Sequence, residues 1–396
     1  MDPRALRIAL FSGNYNYTRD GANQALNRLV DHLLREGAAV RVYSPTVEEP
    51  AFPARGDLVS VPSVAFPGRG EYRVALGLPD RVRSDIVRFA PNIFHVSAPD
   101  ILGHRAVSLA RSLDLPVVAS VHTRFETYFR YYKLGFVEPL VEMGLRRFYR
   151  RCDAIFAPSR SMVRLLRHQG MNGRVGIWTR GTDRHVFDPQ RRDLGWRQSL
   201  GIAPDMPVIG YAGRLVLEKG LDVFADAVDR LTARRVPHRV LVIGDGPARD
   251  WFARRLKGAA FTGFLQGEAL GRAMASMDML LNPSVTETFG NVTLEAMASG
   301  LPVVAARAIG SDSLVEDGVT GRLIAPGAVE DFAAALASYC LDPMKRAAAG
   351  RAGWEASRRY GWDEVNRALV QGYVRAINGR SEPREAHGGR RVPAPW

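Results

Sequence analysis

The chain of 396 residues has only two cysteines, Cys152 and Cys340, far apart in sequence. Two thiols cannot frame a disulfide scaffold or a cysteine-rich zinc site, and they point to a reducing, cytoplasmic compartment. The eight histidines show no ligand spacing such as H-E-x-x-H, so no metal is expected. No apolar run approaches the ~18 residues that a membrane span needs. Residues 1–10 carry neither the apolar stretch nor the small-residue cleavage site of a secretory leader. Lysine is scarce as well: 50 of the 54 basic residues are arginine, a bias that a skewed genome alone would produce.

What is present is ample apolar material, 46% of residues against 24% charged. That composition excludes a disordered chain, and the length suits two domains of roughly 100–200 residues each. The net charge is +13. Residues 1–194 hold 29 Lys and Arg against 19 Asp and Glu, whereas residues 197–396 hold 25 against 22. The excess therefore lies in the first half, where nucleic acid, an anionic membrane surface or an acidic small molecule would be attracted.

Short β-rich runs alternate with amphipathic stretches through both halves. Strands are predicted at 7–12, 39–43, 93–96, 116–121, 154–157 and 175–178, with helices at 21–35, 78–89, 101–113, 139–151 and 161–169. After a polar connector at 188–197 the alternation resumes with strands at 208–212, 240–243, 260–264, 279–282, 302–305 and 322–324. Helices are predicted between them at 221–231, 268–277, 292–298 and 329–339. This is the pattern of βαβ units, hence of two α/β, doubly wound, Rossmann-like domains in tandem. The expected division is 1–194 and 195–362, followed by a terminal helix over 363–378 and a disordered tail over 379–396. Ligands of such folds bind beyond the carboxyl ends of the strands, here in the cleft expected between the domains.

Several motifs fall at those strand ends. Glu287-Thr-Phe-Gly-Asn-Val-Thr-Leu-Glu295 follows a strand and opens a helix that Gly300 ends. The amides of Phe289, Gly290 and Asn291 would lie at that helix's N-terminus, where an anion such as a diphosphate is stabilised. Glu287 and Glu295, eight residues apart, are expected to project to different places and to accept hydrogen bonds from different hydroxyls. A capping and a solvated glutamate is the plainer alternative. Gly213-Arg214-Leu-Val-Leu-Glu218-Lys219-Gly220 sets a guanidinium fork and an ammonium on one loop, suited to converge on phosphate oxygens. Gly244-Asp245-Gly246-Pro247 is a strand-to-turn signal, weak as a nucleotide motif.

In the first half, Asp20-Gly21-Ala22 separates the first strand from the first helix, where glycine permits close backbone approach. His122 follows the strand at 116–121 and is either functional or structural. Arg146, Arg147, Arg150 and Arg151 recur at helical spacing beside Leu140 and Leu145, a basic amphipathic face suited to anionic headgroups or simply to water. Tyr128, Arg130 and Tyr131 form part of an aromatic and basic run that fits an acceptor loop or ordinary packing.

Together these motifs resemble the retaining GT-B glycosyltransferases of family four. The glycine loop, His122, Gly-Arg…Glu-Lys-Gly, Gly-Asp-Gly-Pro and Glu-x7-Glu arrive in family order over nearly the whole chain. The resemblance implies a nucleotide-sugar in the C-terminal domain and an acceptor in the N-terminal one. It gives the diphosphate to Arg214 and Lys219 with Gly21 approaching, the ribose to Glu295, and the donor sugar to Glu287, the 289–291 amides and His122. It implies front-side attack with retention and no metal or other cofactor. The segments at 120–132 and 178–189 are most similar to the lipid-directed members, which include GDP-mannose-dependent α-mannosyltransferases and sulfoquinovosyl diacylglycerol synthases. A hexose, mannose from GDP-mannose, moved to a lipid-linked acceptor at the cytoplasmic membrane face is the expectation. A UDP-sugar donor, a soluble or polysaccharide acceptor and a nucleotide-sugar 2-epimerase are the alternatives. A nucleic-acid-binding protein would explain the charge, but no recognition module or basic–aromatic stripe is present.

Overall fold

The computed structural model describes residues 2–18, 20–66, 69–122 and 138–381. The chain forms two compact units, Met1–Thr179 with Asp363 onward, and Arg180–Trp362. In the first, seven strands run in the order β3-β2-β1-β6-β7-β8-β9. They are β1 (Arg7–Phe11), β2 (Ala39–Ser44), β3 (Asp57–Ser60), β6 (Ile93–Val96), β7 (Val117–Ser120), β8 (Ala154–Ala157) and β9 (Val175–Ile177), all parallel. A separate antiparallel hairpin joins β4 (Ser63–Phe66) to β5 (Arg69–Ala75).

The second unit has a six-stranded parallel sheet in the order β12-β11-β10-β13-β14-β15. Its strands are β10 (Val208–Ala212), β11 (Arg239–Ile243), β12 (Ala260–Gly263), β13 (Met279–Asn282), β14 (Val303–Ala306) and β15 (Gly321–Ile324). Successive residues enter opposite cores. Ile209, Val242, Leu281 and Val304 meet Phe224, Phe252 and Phe332 on one face. Val208, Leu241, Leu280 and Val303 meet Met274, Leu294 and Met297 on the other. Burial on both faces is why these strands read as unbroken apolar runs.

Helix starts follow local chemistry. Asp20 accepts from Asn23 N, Asp100 from Gly103 N, Ser159 from Met162 N and Asp342 from Lys345 N, each satisfying an amide without an intrahelical partner. Among the described residues no helix is long and apolar enough to cross a membrane.

The boundary differs from the sequence expectation of 194/195. The stretch that looked like a connector is built into the second unit. Thr182 N donates to Tyr360 O at 2.9 Å, Phe187 is buried in the core, and Arg192 and Arg197 both reach Asp278. The terminal helix runs Trp362–Ser381, longer than 363–378, and of the expected tail 379–396 residues 382–396 lie outside the described residues. That helix is tied to the first unit: Arg35 and His32 pair with Asp363, and Trp178 Nε1 donates to Asn366 Oδ1.

Candidate active site

In the second unit, the loops after β10 and β11 are laced together by backbone. Gly213 N donates to Ile243 O and Leu215 N to Asp245 O. Gly244 has φ 131°, and a Cβ on it would stand 1.9 Å from Gly213 O. The Gly-Asp-Gly sequence thus serves a close approach between two loops. Buried Tyr211 donates from its hydroxyl to Arg214 O at 3.0 Å, fixing the backbone of Arg214 while its side chain stays exposed. Among the described residues that guanidinium has no carboxylate partner.

Lys219 ends a 3-10 turn, Leu217–Lys219, and Gly220 follows in the left-handed region at φ 74°. Its Nζ lies 3.5 Å from Glu287 Oε1, with the side chains 29% and 19% exposed. Glu287 Oε2 in turn lies 3.2 Å from where a Cβ on Gly290 would be. Gly290, at φ 95°, precedes the helix Asn291–Ala298, whose N-terminus has no side-chain cap. The four amides without intrahelical partners are therefore those of Gly290, Asn291, Val292 and Thr293, which keep Gly290 and Asn291 of the expected 289–291 and leave out Phe289. Phe289 itself is buried and meets Tyr360 edge-on at 5.9 Å.

Glu295 is half-buried within that helix, and its carboxyl is pushed up to about 8, mainly by burial and next by the charge of Glu287. The charge of Glu287 is thus felt at Glu295, although the two side chains start eight residues apart. The reason is local: Glu287 folds back over the bare Cα of Gly290, toward the helix that carries Glu295. Asn282 at the end of β13 anchors the same helix, its Nδ2 donating to Thr293 Oγ1 at 3.0 Å. A cavity of about 550 Å³ opens beside the ends of β11 and β12, lined by Asp245, Gly246, Arg249, Thr262 and Gly263.

In the first unit, Gly21 is the first residue of the helix Gly21–Arg35, directly after its Asp20 cap. His122 follows β7, its Nε2 2.8 Å from Ser120 Oγ and its ring edge-on to Trp178 at 5.7 Å. Tyr128, Arg130 and Tyr131 lie outside the described residues. The four arginines of the basic face have different surroundings. Arg146 pairs with Glu142 and donates to Gln169 O, Arg150 donates to Gly170 O, and Arg151 donates to Ser108 Oγ. Arg147 is exposed on the helix Glu138–Tyr149, as are Leu140 and Met143, 63% and 57%. The sequence reading passed over Tyr211, His95, Ser120 and Tyr373. A histidine inside the four-residue apolar strand Ile93–Val96 was the one signal that marked any of them.

The Glycosyltransferase Family 4 description matches residues 19–186, and Glycosyl transferases group 1 matches residues 206–342. Sulfoquinovosyl transferase SQD2 of Arabidopsis thaliana is 33% identical over 91% of this chain and 73% of its own length. The GDP-mannose-dependent alpha-mannosyltransferase of Mycolicibacterium smegmatis is 32% identical over 96% of this chain and all of its own, and that of Corynebacterium glutamicum 29% over 94% and 90%. Among solved structures, sucrose-phosphate synthase from Thermosynechococcus elongatus superimposes with a TM-score of 0.76 at 18% identity, covering 94% of this chain and 99% of that one. Anabaena HepE with UDP and glucose does so at 0.69 and 20%, over 93% and 99%. Two parallel-sheet α/β units define the GT-B class of fold. The chain belongs to the family 4 glycosyltransferases and is a hexosyltransferase.

Proposed function

We propose that this enzyme moves a mannosyl group from GDP-mannose to a lipid or lipid-linked acceptor, with retention and without a metal ion, at the cytoplasmic face of a membrane. The observation that carries the donor site is the Lys219–Glu287 pair, formed between loops that follow the adjacent strands β10 and β13. The loop of Lys219 also carries the Arg214 guanidinium, which has no carboxylate partner among the described residues, and the helix that starts at Asn291 has no side-chain cap. Two cations and a row of free amides suit a diphosphate. Glu295 accepts from ribose hydroxyls and Glu287 from hydroxyls of the sugar, and His122 and Gly21 of the first unit are given roles toward the sugar and the diphosphate. The cavity beside Asp245 and Thr262 gives the nucleoside room.

In the transfer, the bond between the anomeric carbon and the diphosphate oxygen breaks as the acceptor oxygen bonds on the same face. The acceptor's proton passes to the departing phosphate oxygen. Arg214, Lys219 and the helix amides stabilise the charge that develops there. The named donor of the mannosyltransferase relatives supports mannose and GDP. The exposed Leu140, Met143 and Arg147 on one helix support contact with an anionic lipid surface.

Calorimetric titration with GDP-mannose and UDP-glucose, without added metal and with Arg214→Ala as control, tests the donor. Binding of GDP-mannose that is lost in the variant is expected. Binding of UDP-glucose alone would replace the donor, and silence across a wider donor panel would remove the transfer site from these residues. Flotation with anionic vesicles, weakened in Arg147→Glu, tests the surface; equal flotation of the two proteins would reject it.

A further inference from the structure

His95 is buried in the middle of β6, where every residue is buried, yet both ring nitrogens have partners. Its Nδ1 lies 2.7 Å from the Tyr373 hydroxyl oxygen and its Nε2 lies 2.8 Å from Ser120 Oγ. Ser120 Oγ is also 2.8 Å from His122 Nε2. Four side chains from β6, β7, the loop after it and the terminal helix thus form one hydrogen-bonded row. Trp178 stands edge-on to both imidazoles, at 5.9 Å from His95 and 5.7 Å from His122.

The direction of the row follows from counting protons. Burial holds the His95 imidazole neutral, driving its pKa down to about 3. One of its nitrogens therefore donates and the other accepts. Among the described residues the fully buried Tyr373 hydroxyl has one hydrogen-bond partner, His95 Nδ1. Were Nδ1 the donor, the phenol proton would be buried without an acceptor, with the full desolvation cost of that group. The satisfied arrangement has Tyr373 donating to His95 Nδ1 and His95 Nε2–H donating to Ser120 Oγ. Ser120 has then one proton left to give, and it goes to His122 Nε2.

We propose that Tyr373, His95 and Ser120 are positioning residues whose directed hydrogen-bond row holds His122 with its proton on Nδ1. This is the opposite tautomer to the one histidine favours in water. It turns the ring's N–H edge away from Ser120, and, resting on the function proposed above, that N–H serves an oxygen of the donor sugar. The terminal helix thereby sets the hydrogen-bonding character of a residue that follows β7.

The test is a long-range proton–nitrogen correlation spectrum of the full-length protein labelled with ¹⁵N-histidine, with His122→Gln used to assign the His122 signals. Those signals are expected in the Nδ1–H pattern; an Nε2–H pattern overturns the row. In Tyr373→Phe the constraint on His95 is gone, so the His122 signals should move toward a mixture of tautomers. kcat should fall roughly tenfold, the size of one lost hydrogen bond. Unmoved signals and an unchanged kcat in that variant would remove Tyr373 from the role. Failure of the transfer reading looks different: no sugar donor of the panel would then bind, whereas the His122 signals would keep the Nδ1–H pattern. An inactive His122→Ala enzyme whose wild-type spectrum shows Nε2–H would sink the row alone.

Discussion

Lys219 Nζ and Glu287 Oε1 stand 3.5 Å apart, joining two loops that are 68 residues distant in sequence. Adjacency of β10 and β13 brings the loops together, and two left-handed glycines let the side chains meet. Gly220 turns the chain directly after Lys219, and Gly290 leaves its Cα bare for the Glu287 carboxylate. Each charge is held ready by the other, whereas Arg214 has no such partner among the described residues.

Removing both cations should therefore be felt in transfer and scarcely in folding. For Arg214→Ala with Lys219→Ala we expect turnover to fall by about 10² or more, as when donors to a developing oxyanion are lost. The thermal midpoint should stay near that of the native protein. Initial rates at saturating donor, beside a melting curve, check both halves. Substantial residual turnover would show that the diphosphate is held elsewhere.

Glu295 makes stability depend on pH. Its folded pKa of about 8 lies above its ordinary 4.5, so the native state keeps a proton that the unfolded chain releases. The contribution of Glu295 is full below about pH 4.5 and is lost as pH rises to about 8. Glu295→Gln is neutral throughout and should gain on the native protein across that window. Urea midpoints at pH 5 and pH 8.5 give the comparison; the same offset at both would contradict the assignment.

Two glycines should respond in opposite ways. Gly244→Ala places a Cβ against Gly213 O in a left-handed backbone, and we expect a loss of about 1–3 kcal/mol. Gly144, inside the helix Glu138–Tyr149, has nothing within 4 Å of an added Cβ. Gly144→Ala should add about 0.5–1 kcal/mol through helix propensity. Equilibrium denaturation of the pair checks the signs.

Asn366 accepts from Trp178 Nε1 at 3.2 Å and donates to Arg28 O at 3.2 Å, all three within the first unit. Asn366→Ala removes both hydrogen bonds, the one from the buried indole N–H and the one to the Arg28 carbonyl. A cost of about 1–3 kcal/mol is expected, read from urea unfolding followed by tryptophan fluorescence. A change below 0.5 kcal/mol, roughly the level of a surface substitution, would mean that the contact is incidental.

Most of the fold was legible because both sheets are parallel and buried on both faces. Strands such as Val117–Ser120 and Val303–Ala306 are short apolar runs, and the helix Gly21–Arg35 shows a clear apolar stripe. The helix Pro343–Ser357 was missed because its buried face is Ala349, Gly350, Gly353 and Ser357, small residues that leave no hydrophobic period. A Cβ on Gly350 would meet Gly300 O at 2.2 Å, which is why that face is small. The hairpin β4–β5 was hidden among prolines and glycines.

In the site, Arg214, Lys219, Glu287 and Glu295 sit in local motifs and could be picked out one loop at a time. His95, Ser120 and Tyr373 could not. The first two become neighbours through the register that sets His95 opposite Val118 and Val96 opposite Ala119. Tyr373 arrives from a helix far along the chain, and no local pattern encodes that return. That Glu287 lies against the bare Cα of Gly290 was hidden for a related reason, since residue spacing does not reveal how a glycine lets a loop fold back.

The route of the chain reverses the usual order of assembly during synthesis. The first unit is left at Thr179 and re-entered at Asp363, with the whole second unit inserted between. Residues 180–362 take roughly 10–40 s to emerge at cellular elongation rates. Throughout that interval His95 lacks Tyr373 and Trp178 lacks Asn366. The second unit has all of its own strands as soon as it leaves the ribosome. The N-terminal half of this enzyme is therefore the last to be completed, and a nascent chain halted before the final helix would carry one finished unit and one waiting for its closing piece.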